Sequence, residues 1–197
     1  MRRTFVLTMA FSLMLVAAAP AFARGGPPAG VVPGDQTIAD IVVASTEDHP
    51  AEFTLLLAAL EYTDLTDVFT GGDQYTVFAP TDQAFLDLVE AVADLLDDDV
   101  LAADGPFAAI DDLLGKGTVA NVLLYHVAEG RRASNSVVPR VGERTVTTLL
   151  GPTFSVNSTA GITAVGNSAE IITPNIPASN GVIHVIDTVI LPVDLGL

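Results

Sequence analysis

Apolar residues recur at helical spacing along the first half of the chain. Phe53, Leu56, Leu57 and Leu60 lie at positions i, i+3, i+4 and i+7, which predicts a helix with one buried stripe. Pro50 suits the first position of this helix, because its missing N–H would be unpaired there. Similar spacing predicts helices in the segments TIADIVVAS, AFLDLVEAVADLL and TVANVLLYHV, with Thr-type caps at the first and last of them.

The hydrophobic period changes to two from Arg140 onward. Alternating runs separated by Gly, Asn and Pro predict short strands in RTVTTLLG, TFSVNS, ITAVGN, AEIITPNI and GVIHVIDTVILP. Helices followed by a meandering sheet indicate an α+β domain.

The stretch YTVFAPTDQAF, from Tyr75 to Phe85, predicts a strand, a turn and the start of a helix. Its first four residues are β-branched or aromatic, and Pro80 ends the strand because proline has no N–H to donate. Thr81 then stands at a helix N-cap, and Asp82 places a negative charge at the positive end of the helix.

The beginning of the chain has the pattern of an export signal. Residues 1–23 comprise two arginines, an apolar run shorter than the ~20 residues that span a bilayer, and a small-x-small site that predicts cleavage after Ala23. Residues 24–36 are rich in Gly and Pro and predict a flexible leader, so a single domain is expected at 37–194. The mature protein is therefore predicted to be secreted or periplasmic, with no membrane-spanning segment.

The charge of the chain narrows its partners. Eight Lys and Arg stand against 24 Asp and Glu, and loss of the signal removes two of the eight, leaving a formal net charge of −18. Such a chain repels nucleic acid and anionic lipid, whose binding depends on Lys and Arg. The few cations are concentrated, and they form either a docking site or local counter-charges: Arg131, Arg132, Arg140 and Arg144.

The residues that carry catalysis are scarce. There is no cysteine and no G-x-S-x-G motif, and the three histidines lack zinc-ligand spacing. His126 and His184 lie in apolar runs, which favours buried side chains bonded to a carbonyl or carboxylate, and Asp187 is the predicted partner of His184. The acidic run Asp97–Asp99 lacks the spacing of a calcium loop. We therefore expect no enzyme activity, no metal and no cofactor.

Several ordered motifs resemble those of the fasciclin domain family. YTVFAPTDQAF is similar to the first family signature, SNGVIHVIDTVILP to the second, and LLYHV to the Tyr-His signature between them. The segment HPAEFTLLLAALEYTDL resembles an early helical element of the family, with His49 where Asn is usual. The resemblance covers Thr37 to Val193.

This resemblance implies a β-wedge with helices packed around one side, in which the two signatures form neighbouring core strands. Asn180–Gly181 would be the turn before the last strand. The residues expected to serve the fold are Phe78, Pro80, Thr81, Asp82, Asn180, Gly181, His184 and Asp187.

The resemblance also implies a function. Fasciclin domains are non-catalytic modules of cell adhesion and matrix association, so the expected partner is a protein or a matrix or surface component. The Tyr-His signature, implicated in receptor binding in some animal members, corresponds to Tyr125 and His126. The alternative is a carrier of an apolar ligand such as a carotenoid or lipid, which some similar proteins bind. A single short domain usually needs avidity to adhere, which makes weak self-association a further expectation.

Overall fold

A computed structural model describes residues 34–93 and 106–194. The helices are α1 (Ile38–Glu47), α2 (Thr54–Tyr62), α3 (Asp82–Ala93), α4 (Pro106–Leu114), α5 (Thr118–Tyr125) and α6 (Ser134–Val137), with a 3₁₀ helix at Thr66–Phe69. The strands are β1 (Tyr75–Pro80), β2 (Val127–Glu129), β3 (Glu143–Thr147), β4 (Thr153–Asn157), β5 (Gly161–Thr163), β6 (Ser168–Ala178) and β7 (Gly181–Ile186). The predicted signal peptide, residues 24–33 of the predicted leader and the acidic run Asp97–Asp99 lie outside the described residues.

The strands form a mixed sheet in the order β2-β1-β7-β6-β5-β4-β3. β3 to β7 make an antiparallel meander, and β1 then pairs in parallel with β7, so that the two signature stretches are hydrogen-bonded neighbours. β6 shows two register shifts against β7, and its two prolines, Pro174 and Pro177, lie at or just beyond them. Bulges of this kind accommodate proline and bend a strand, which gives the sheet its wedge shape.

The central strands β1 and β7 separate two hydrophobic clusters. Val77 and Ala79 of β1 contact the cluster that buries α1 to α5, whereas Phe78 lies in a second cluster with residues of β4, β5 and α6. This alternation follows from the two-residue period of a strand. The predicted α+β class, with helices packed around one side of the sheet, is confirmed.

Two predicted helix starts are wrong. Pro50 lies in a loop after a cis peptide bond, and α2 begins only at Thr54, with buried Phe53 as its N-cap in a left-handed conformation. Thr118 is the first residue of α5 and not its cap, because Asp111 accepts hydrogen bonds from the N–H groups of Gly117 (3.1 Å) and Val119 (2.9 Å). In both places a side chain distant in sequence satisfies the helix end, which local periodicity does not reveal.

Candidate functional site

The turn before β7 is held from inside the protein. The Asn180 side chain is 3% exposed, accepts the Ile38 N–H at 2.8 Å and donates to the Phe69 carbonyl at 2.6 Å. It therefore joins the start of α1 and the end of the 3₁₀ helix to the sheet. Gly181 lies where a Cβ atom would overlap the Tyr75 carbonyl oxygen and lie 2.8 Å from Ile38, so a side chain has no room there.

The turn after β1 joins two helix N-termini. The Thr81 hydroxyl accepts the Ala84 N–H at 3.1 Å within α3. Asp82 acts on the other helix: its carboxylate accepts from the Thr54 hydroxyl (2.6 Å) and from the Thr54 and Leu55 N–H groups (3.1 and 2.8 Å). Glu52 in turn accepts the Asp82 N–H at 2.6 Å. The acid of the first signature thus caps α2, which has no cap of its own.

Tyr125 and His126 are not on the surface, which contradicts their assignment as partner-binding residues. Tyr125 is fully buried and donates to the Thr153 carbonyl at 3.0 Å, while His126 is 3% exposed. His126 Nδ1 donates to the Val122 carbonyl at 2.7 Å, and Nε2 accepts the Ile190 N–H at 3.0 Å. Both ring nitrogens are used, and burial lowers the pKa of His126 to about 4.

His184 also uses both ring nitrogens, but its partners differ from the predicted one. Nε2 donates to the Arg132 carbonyl at 2.9 Å and Nδ1 accepts the Asn175 N–H at 3.2 Å, so Asp187 is not its partner. The ring is fully buried, and burial lowers its pKa. Asp187 faces away because side chains three residues apart on a strand point to opposite faces. Its carboxylate instead accepts the Glu170 N–H at 2.8 Å.

The four arginines lie on or beside one surface segment, Gly130–Arg144, which we call the arginine segment. Arg131, Arg140 and Arg144 are exposed and Arg132 is half-buried. Arg132 Nε donates to the Glu129 carbonyl at 3.1 Å, and the Arg144 guanidinium donates to the Ser136 carbonyl. The segment thus folds back on itself around α6.

The arginine segment is anchored to the central strands by buried polar contacts. The Thr76 hydroxyl donates to the Gly130 carbonyl at 2.6 Å and accepts the Arg132 N–H at 2.9 Å. Asn175, which has a positive φ of 65°, bonds Ser134 twice at 2.7 Å. Together with His184, these contacts fix the backbone from which the arginines project.

The described interior offers little space for a ligand. An apolar cavity of about 20 Å³ lies between the helices and β1, near Ile38, Phe69 and His126. That volume accommodates about one water molecule, whereas ligand pockets measure roughly 300–1,000 Å³. A second, open groove of about 460 Å³ lies on the outer surface near Asn157 and Asp187 and is lined mainly by polar residues.

Other functional signals were sought in the same residues. Across 34–93 and 106–194, no group of three or more His, Asp or Glu side chains could hold a metal ion. No helix in those ranges combines the length and the apolar character needed to cross a bilayer.

The geometry defines an α+β domain whose signature residues hold the fold together, and the comparisons agree. A family profile described as the fasciclin domain matches residues 51–192. Protein sll1483 of Synechocystis sp. is 34% identical over 71% of this chain and 67% of its own length. The immunogenic protein MPB70 of Mycobacterium bovis is 31% identical over 78% of this chain and 69% of its own length. The chain belongs to the fasciclin domain family.

A solved structure supports the fold. It is a pair of FAS1 domains from the insect cell adhesion molecule fasciclin I, with a TM-score of 0.58 and 15% sequence identity. The match covers 80% of this chain and 51% of the solved chain.

Sequence reasoning missed Thr76, Asn175, Glu52 and Asp111. Each is a polar residue whose partners lie on another element, from six to 56 positions away. Only Asn175 carried a local signal, since Pro-Asn within a strand pattern favours an irregular backbone.

Proposed function

We propose that this protein acts outside the cytoplasm as a non-catalytic interaction module, which adheres to a protein or matrix component at a surface. Membership of the fasciclin family supports this role, and a related fold occurs in a molecule titled as an insect cell adhesion protein. The predicted cleavage after Ala23 supports export.

The observation that carries the proposal is the division of labour between interior and surface. His126 and His184 have both ring nitrogens bonded to backbone groups, so neither is available as a general base. The arginine segment, by contrast, projects charged side chains from a rigid backbone. Preorganised surface residues favour binding because little conformational entropy is lost on contact.

Adhesion of coated beads tests the proposal. Beads carrying the purified full chain are expected to attach to cells or matrix of the native host, and soluble protein should compete with them. Beads carrying another protein of similar size and acidity are the control. Attachment no better than that of the control would refute an adhesive role.

The carrier alternative has a separate test. The small apolar cavity gives a carotenoid no room in the described core. Protein purified from the native host should therefore show no pigment absorption and yield no stoichiometric lipid. One bound pigment or lipid per chain would replace adhesion by transport as the primary function.

A further inference from the structure

Acidic and basic side chains are segregated along the chain. Nineteen of the 24 acidic residues lie between Asp35 and Gly115, and this range contains no Lys or Arg. The other five acidic residues lie after Gly115, together with five Lys and Arg. The first range includes α1 to α4, which we call the helical layer.

The two kinds of charge also lie on opposite faces of the central strands. The helical layer covers the face to which Val77 and Ala79 point. The arginine segment lies against the other face, where Val137 of α6 is buried with Phe78 and where His184 bonds the Arg132 carbonyl. A sheet therefore separates an acidic face from a basic segment.

The arginine segment is available for contact. Arg131 and Arg140 are exposed, and neither has a hydrogen bond or ion pair within the described residues. Val141, beside Arg140, is 88% exposed and adds an apolar contact. Glu129 and Glu143 lie at the two ends of the segment, so its four arginines remain in excess over the acids.

We propose that the arginine segment of one molecule binds the helical layer of a second copy, head to tail. The inference rests on the proposed function and names a partner for it. Exposed carboxylates on the helical layer include Glu47, Glu61, Asp87 and Glu90. Arginine suits them because its planar fork can bind a carboxylate through two hydrogen bonds.

Head-to-tail contact would give the molecule the avidity that a single domain lacks. Two different faces meet in such a contact, so association continues from copy to copy instead of ending at a symmetric dimer. A chain of domains presents many weak sites at once, and its overall affinity for a surface exceeds that of each site.

The net charge of −18 gives this association a distinctive salt dependence. At low ionic strength, the long-range repulsion between two acidic molecules opposes contact. Near 0.15 M salt the repulsion decays over about 8 Å, while pairs in direct contact persist. High salt weakens those pairs as well. Association should therefore be strongest at intermediate ionic strength.

Sedimentation velocity of the full secreted chain tests the proposal. We expect the average mass to rise with protein concentration near physiological salt and to fall at lower and higher salt. Arg140→Glu should weaken association on the order of tenfold, since it converts an attractive exposed contact into a repulsive one. Lys116→Glu is the matched control, with the same change of charge on an exposed residue outside the segment.

The variants separate this inference from its alternatives. Circular dichroism melts should show that both variants fold, because neither side chain has a hydrogen bond within the described residues. A monomer at every salt concentration, or equal effects of Arg140→Glu and Lys116→Glu, would overturn the inference. Arginine-dependent binding of polygalacturonate by a monomeric chain would also overturn it, in favour of an acidic polysaccharide. Bead adhesion without self-association would leave the proposed function intact.

Discussion

His126 illustrates how a single residue couples the fold to pH. Its ring links the end of α5 to Ile190 through one donated and one accepted hydrogen bond. A protonated ring could only donate, so the bond from the Ile190 N–H would be lost inside the core. The neutral form is therefore part of the native structure, and His184 follows the same logic with Asn175 and Arg132.

We predict that the protein loses stability as pH falls from about 6.5 to about 4. The folded pKa of His126 lies near 4, below its model value of 6.5, so the unfolded chain binds more protons in this window. The stability is complete above pH 6.5, and the loss from His126 reaches about 3 kcal/mol at pH 4. The lowered pKa of His184 acts in the same direction. Urea unfolding at a series of pH values measures the effect.

His126→Gln should reduce the slope of stability against pH in that window, since it removes the titrating ring. His49→Gln, at an exposed loop position, is the matched control. Equal slopes in the wild-type protein and His126→Gln would show that His126 does not titrate there.

Gly181 gives a second prediction at the residue scale. Gly181→Ala places a methyl group on the Tyr75 carbonyl, at the point where β1 and β7 begin to pair. We expect a loss of roughly 3 kcal/mol, because the backbones of two central strands must separate. Gly72→Ala is the control, as nothing lies within 4 Å of a Cβ atom there. Similar melting temperatures for the two variants would refute the close approach.

Between elements, the main device is the capping of helices by distant side chains. Asp82 caps α2 from the start of α3, Glu52 returns a bond to α3, and Asp111 caps α5 from α4. A carboxylate at a helix N-terminus also interacts favourably with the helix dipole. These contacts tie neighbouring helices together, so their effect is tertiary as well as local.

We therefore predict that Asp82→Ala costs more stability than Thr81→Ala. Asp82 loses three hydrogen bonds to α2, with an expected cost of about 2 kcal/mol, whereas Thr81 loses one cap bond, worth about 1 kcal/mol. Chemical denaturation measures both, with Glu90→Ala on the exposed side of α3 as the control. The reverse order would mean that the bonds to α2 contribute little.

For the molecule as a whole, charge segregation dominates. The helical layer and its loops carry nineteen acidic residues without a cation, and like charges on one face repel each other. Folding concentrates this charge, so the native state carries an electrostatic cost that depends on salt.

We predict that added sodium chloride raises the melting temperature. Screening shortens the range of the repulsion from about 30 Å at 0.01 M to about 3 Å at 1 M salt, which relieves the folded state more than the expanded one. Differential scanning calorimetry across this range measures the shift. A melting temperature that falls with salt would show that attractive ion pairs outweigh the repulsion.

The sequence by itself determined the class of fold and the order of its elements. Helical and two-residue periods predicted α1, α3, the strand at Tyr75 and the meander, because side-chain burial on one face leaves a regular trace. The signature motifs indicated the family and the pairing of β1 with β7. The buried state of both histidines also followed from their apolar neighbours.

Only the tertiary structure decided what the polar residues do. Asp82 looked like a cap for its own helix but caps α2, and Tyr125 and His126 looked like a receptor site but lie in the core. His184 bonds Arg132 and Asn175 instead of Asp187. A polar side chain takes whichever partner the fold brings within about 3 Å, and sequence spacing carries no record of contacts between distant elements.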